Sequence, residues 1–156
     1  MNMKFLCKNH REHLLNDPSR AQTFWSLAFD TAQSFYDQCL WSEALPHIGC
    51  AFFETSDIML TSKVEDPRQT YELMSSSSVL LAYTLLKVGQ VDEARNVYWF
   101  TIKRLERELS EGNANYSELQ HNLGFLYRCV ESLIITYRPE SDTAPACGEK
   151  TDISYH

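Results

Sequence analysis

Glycine and proline are scarce in this chain, five of each in 156 residues. An all-β sandwich or barrel needs turn residues every ~8–12 positions, so the shortage excludes many short strands and favours few, long elements. Helices meet that requirement. Long apolar runs are missing too: no stretch approaches the ~18 continuous apolar residues of a membrane span, and Met1 to Phe5 lacks the apolar core of a secretion signal. A membrane partner is therefore not expected, and the cytoplasm is the expected location. Clusters of positive charge are also absent. With 14 Lys and Arg against 21 Asp and Glu, the formal net charge is −7, which leaves little to hold a phosphate backbone and argues against nucleic acid as a partner. The mixed stretch Lys103 to Glu108 alternates in sign and reads as a solvated helix face with local ion pairs.

Cysteine pairing is the next absence. Cys7, Cys39, Cys50, Cys129 and Cys147 are odd in number and never stand as Cys-x-x-Cys, so a disulfide framework is not expected. The sequence contains no Gly-x-x-x-x-Gly-Lys phosphate loop, no Gly-x-Gly-x-x-Gly turn, no His-Glu-x-x-His pair and no Gly-x-Ser-x-Gly elbow. Glu43, Glu54, Asp57, Asp92 and Glu93 fall at helix starts or on polar faces, where capping and the helix dipole account for them. The expectation is a protein without catalytic residues or a resident cofactor.

What is present is helical periodicity. Apolar residues make up 44% of the chain and charged residues 22%, enough for one globular domain. Asp17-Pro18 suits a helix start, and Ala21, Phe24, Trp25, Ala28, Thr31, Ala32, Phe35 and Tyr36 then recur at three and four to form one apolar face as far as about Leu40. Ser42 is placed to cap a second helix running to about Thr61, with Pro46 in its first turn and Ala44, Leu45, Ile48, Ala51, Phe52, Ile58 and Met59 on its apolar face. A loop over Lys63 to Asp66 leads into a third helix from Pro67 to Gly89, whose face carries Tyr71, Met74, Ser78, Leu81, Ala82 and Leu85. In that helix the run Ser75 to Ser78 reads as a small-residue face permitting close helix contact. A fourth helix spans Val91 to about Glu111, with Ala94, Val97, Tyr98, Thr101, Ile102 and Leu105 inward. A fifth spans about Asn115 to Tyr137, with Leu119, Leu123, Leu126, Tyr127, Val130, Leu133 and Ile134 inward. Residues 17–138 thus form a helical-hairpin domain. Residues 1–16 are an N-terminal segment in which Phe5, Leu6, Leu14 and Leu15 can form a short helix over the first hairpin, and residues 139–156, with Pro145 and Gly148, read as a flexible tail.

The hairpins repeat. Ala28, Ala32 and Phe35 precede Trp41, Ala44, Ile48 and Ala51; Leu81, Ala82 and Leu85 precede Gly89, Val91, Ala94 and Tyr98; Leu123-Gly124 with Tyr127 opens a third copy. Trp41-Ser42-Glu43-Ala44 and Gln90-Val91-Asp92-Glu93-Ala94 are the segments that most resemble the tetratricopeptide repeat. Together with Leu6-Cys7-x-x-His10 and Gly49-Cys50-Ala51-Phe52, they make residues 4–137 similar to a group of short proteobacterial tetratricopeptide-like proteins. The resemblance implies an all-α, tetratricopeptide-like stack of antiparallel helix hairpins in a bacterial cytoplasm, and it carries no active site. The spacing departs from the family's: Ala32 to Ala82 is 50 residues and Ala82 to Gly124 is 42, against a repeat of about 34, so the helices must be longer and the last one serves as a cap.

A stack of this kind implies a concave groove between first helices that suits a peptide or helix of a partner. Phe35, Tyr36, Tyr83 and Leu85 are the residues expected along it, with Trp99 as an exposed aromatic beside them, because Tyr98-Trp99-Phe100 cannot all face inward. The expected function is a protein–protein interaction module, an adaptor or chaperone-like. A self-associating protein, dimerising through Trp99, Phe53 or the last helix, is a second reading. In a third, Cys7, His10, His47 and Cys50 close a tetrahedral zinc site that fastens the N-terminus. Against the third, Cys50 serves equally well as a small buried hydrophobe, His47 as a helix-edge residue, and His10 and His13 as solvated side chains.

Overall fold

In a computed structural model, residues 8–61, 67–112 and 115–137 are described, and every element among them is a helix. In chain order these are α1 (Lys8–Asn16), α2 (Pro18–Asp37), α3 (Trp41–Gly49), a π-helical segment (Cys50–Ser56), α4 (Asp57–Thr61), α5 (Pro67–Lys87), α6 (Val91–Ser110) and α7 (Tyr116–Thr136). The protein is all-α, as the turn-poor composition requires. Cys7, Phe5, Leu6, the Lys63–Asp66 loop and the tail from 138 onward lie outside the described residues.

α2 begins where Pro18 supplies a preset φ at a position that needs no N–H. Asp17 occupies the cap position, but its carboxylate does not cap the backbone: it accepts from Ser19 Oγ at 2.6 Å and pairs with Arg20 Nε at 3.0 Å. α3 starts one residue before the expected cap, with Leu40 rather than Ser42 at the cap position. Pro46 therefore stands inside the helix, beyond its first turn. Lacking an N–H, it leaves the Ser42 carbonyl without its helical donor, at an exposed position where water can supply one. The run from Trp41 to Thr61 is helical throughout, yet its middle widens to π geometry, where Thr55 Oγ1 donates to the Cys50 carbonyl at 3.0 Å and Ser56 Oγ to that of Ala51 at 2.9 Å. Each of these bonds reaches back five residues, so the two hydroxyls serve carbonyls that the widened turns expose.

Short turns force neighbouring helices antiparallel. α2 and α3 pack together across Gln38–Leu40, and α5 and α6 across Val88–Gln90. α5 is central, touching α3, α6 and α7. At the crossings sit fully buried alanines, Ala32 and Ala44 in the first hairpin and Ala82 and Ala94 in the second, which let backbones approach. Ser75, Ser77 and Ser78 are buried on α5 while Ser76 faces out. Three of the four serines thus form a small-residue face, with Ser77 and Ser78 donating back to carbonyls of their own helix. The main core gathers Ile48, Tyr71, Met74, Leu81, Leu85, Tyr98, Ile102, Leu105, Leu119 and Leu126, each worth about 1.5–3 kcal/mol of burial. A smaller core of Leu14, Ala21, Ile58 and Met59 joins α1, α2 and α4; of the four residues expected to cover the first hairpin, Leu14 is buried there and Leu15 is exposed.

Three expected faces need correction. Thr31 is exposed and donates its hydroxyl to the Leu27 carbonyl. Tyr127 and Ile134 on α7 are exposed; Tyr127 lies over the surface of α6, its ring edge-on to Trp99 and its hydroxyl on Glu106, and not in the core. In the mixed-charge stretch, Arg104 and Glu108 are not solvated: their ion pair, 2.6 Å long, leaves the side chains only 11% and 10% exposed.

Candidate functional site

The C-terminal ends of α2 and α5 and the second half of α7 surround an open cleft of about 400 Å³, floored by α6. α2 contributes Tyr36 and α5 contributes Tyr83, Leu86 and Lys87, at helical spacing on one face. α7 contributes Phe125, Arg128, Cys129, Ser132, Leu133 and Thr136, again at intervals of three and four, and Tyr137 follows at its end. Tyr98 of α6 forms the floor. The size is at the lower end of ligand sites, about 300–1,000 Å³, and the mixture of apolar walls with few polar groups is what such sites use.

The rim is held by a relay of rings. Tyr36 meets Trp41 edge-on at 4.9 Å across the α2–α3 turn, and Trp41 in turn lies under the Lys87 ammonium at 5.3 Å. That cation–π contact ties the first hairpin to the second. Below it, burial drives the Tyr98 hydroxyl far above its ordinary pKa, with Cys129 and Tyr83 adding to the shift. Burial also raises the Cys129 thiol, an effect partly opposed by its hydrogen bond with Tyr98 and by Arg128. The Tyr36 hydroxyl is raised by burial, then by Tyr83, Asp37 and Cys39. At neutral pH these three groups are uncharged, so among the described residues the charges lining the cleft are those of Lys87 and Arg128, with no Asp, Glu or His. Such a surface can hold an aromatic or aliphatic group and pair with an anion. A deprotonated nucleophile is not among its described lining groups.

Tyr36 and Tyr83 are thus brought together as expected. Leu85 is not: it is 0% exposed in the core, and Leu86 lines the cleft instead. The error is one residue, or about 100° around the helix. Phe35 turns away from Tyr36 and stacks on His47, with ring centroids 5.5 Å apart. His47 in turn borders a shallow hollow of about 210 Å³ with Phe24, Leu27, Ala28, Thr31 and Cys50. Trp99 is exposed, as expected, but stands outside the cleft, edge-on to Tyr127 at 6.1 Å. Tyr127 also donates its hydroxyl to Glu106. Of the four residues expected around zinc, Cys7 and the side chain of His10 lie outside the described residues, while His47 and Cys50 sit at the hollow. Among the described residues no three His, Cys, Asp or Glu side chains converge as a metal site.

Phe125, Arg128 and Cys129 were not expected at the site. Their signal was available, because all three stand off the Leu119, Leu126, Leu133 stripe of α7 on the side facing α5, but that side is defined only once the helices are placed. Comparison of the chain with protein-family models, with curated proteins and with solved structures finds no match to any of them.

Proposed function

We propose that this chain is a tetratricopeptide-like interaction module of the bacterial cytoplasm, an adaptor or chaperone-like protein, whose cleft receives a segment of a partner protein. The observation that carries the reading is the cleft's construction. It is walled by the first helix of each of two successive hairpins and by the helix that follows them, with Tyr36 and Tyr83 presented from the first two. Partly exposed tyrosines on rigid helices give large contact area at small entropic cost. The experiment is affinity capture from a bacterial lysate with the wild-type protein and a Tyr36→Ser/Tyr83→Ser variant side by side. A protein recovered by the first and lost by the second is the expected result; a set of captured proteins unchanged by the substitutions overturns the reading.

A second reading, self-association, draws on the face of α7 away from the cleft, where Trp99 meets Tyr127 and Ile134, seven residues on from Tyr127, is 50% exposed. Exposed apolar side chains in a group mark contact surfaces. Sedimentation equilibrium decides it: a concentration-dependent dimer abolished by Ile134→Glu supports the second reading, and a monomer at all concentrations ends it.

A further inference from the structure

We infer that the partner segment received by the cleft is acidic, an aromatic or aliphatic anchor side chain with a carboxylate beside it, presented from within a chain. The inference rests on the interaction reading above and adds the chemistry of the occupant.

It begins with a local reversal of charge. The protein carries a formal net charge of −7, yet among the described residues the cleft lining holds Lys87 and Arg128 and no carboxylate. Asp37 and Glu131 stand beside lining residues without entering the lining. Asp37 accepts from Gln33 Nε2 at 2.9 Å on its own helix, and Glu131 is exposed on α7 outside the lining. A basic segment would therefore meet two like charges at the cleft.

The two cations differ. Lys87 is drawn over the Trp41 ring, whereas Arg128 has neither a hydrogen bond nor an ion pair with any described residue. Its guanidinium lies back along α7 over Gly124, with Nη1 3.6 Å from where a side chain on that glycine would begin. A planar fork standing at the edge of an aromatic cleft is the arrangement that takes a carboxylate through paired N–H donors. The neutral floor of Tyr98 and Cys129 leaves the interior for the apolar group. The small volume limits it to an anchor of one or two side chains.

The test uses a random peptide library displayed with its C-terminal end fused, so that no free carboxyl terminus is offered. It is selected on the full-length protein. The enriched peptide is then made with both ends blocked and titrated against wild type, Arg128→Gln, Arg128→Glu and Tyr83→Ala, each checked to keep the wild-type melting temperature. The expected outcome is enrichment of Asp or Glu next to a large apolar residue, with about tenfold weaker binding to Arg128→Gln, as for loss of one charge-assisted hydrogen bond. Binding to Arg128→Glu should be weaker again. Peptides that depend on Tyr83 but lack acids, or bind Arg128→Gln unchanged, overturn the acidic assignment and leave the interaction reading standing. No enrichment, or binding indifferent to Tyr83→Ala, removes the interaction reading and this inference with it.

Discussion

The α2–α3 and α5–α6 hairpins turn on the same hydrogen bonds, fifty residues apart. Leu40 N–H reaches the Phe35 carbonyl and Gln90 N–H the Leu85 carbonyl, each at 2.9 Å, while Cys39 N–H bonds Tyr36 and Gly89 N–H bonds Leu86. Both turns pass through the left-handed region, with φ of +59° at Cys39 and +81° at Gly89. After the turn the hairpins diverge. α6 runs unbroken for 20 residues, whereas the matching helix of the first hairpin carries Pro46 and gives way to the π segment at Cys50. The turn is fixed locally by a Schellman-type bond pair. The helix after it depends on what its sequence can donate, and proline followed by hydroxyl side chains changes the answer.

The contrast can be broken at its most committed point. In α6 the buried Arg104–Glu108 pair has no counterpart among the described residues of α3 or α4. Arg104→Met should destabilise the protein by about 3–5 kcal/mol in urea unfolding, because Glu108 would lose its 2.6 Å ion-pair partner at a largely buried position. Arg104→Met/Glu108→Leu should recover most of that loss. A single variant that unfolds like wild type would show the pair to be solvated after all.

The turns offer the next test. No atom lies within 4 Å of a side chain built on Gly89, so Gly89→Ala isolates backbone strain and should cost about 1–2 kcal/mol. Cys39→Gly, at the same position of the first hairpin, should stabilise, by about 0.5–1 kcal/mol after the added freedom of the unfolded chain is counted. If both changes moved stability in one direction, the two turns would not be equivalent.

The smallest stability effect is expected in the cleft. Tyr83 is 48% exposed, so Tyr83→Ser should change stability by no more than about 0.5 kcal/mol while abolishing partner capture. Phe35→Ser, whose ring stacks on His47 away from the cleft, should leave capture intact.

These expectations also mark what was legible in the sequence. Helical period placed every long helix to within a few residues and put the core residues of the third and fourth helices on the right face, because a buried stripe must recur every three to four positions. It could not separate Leu85 from Leu86 at the cleft, since both flank the same stripe and only the neighbour's position decides which is covered. Nor could it reveal that Arg104 and Glu108 are buried, because alternating charge looks the same on a solvated face and on one enclosed by neighbouring helices. Ser42 was a sound cap by residue type, but the hairpin turn places Leu40 there instead. Arg128 and Phe125 meet Tyr36 and Tyr83 only through tertiary packing, so half of the candidate site was invisible to any single-helix argument.

The most direct test of the central claim is hydrogen exchange of the protein with and without the partner recovered by capture. Slowed exchange confined to the C-terminal ends of α2 and α5 and to the second half of α7, around Tyr36, Tyr83 and Arg128, is the predicted result. Slowing centred on Trp99, Tyr127 and Ile134, with the cleft unchanged, would contradict the account and move the functional surface to the outer face.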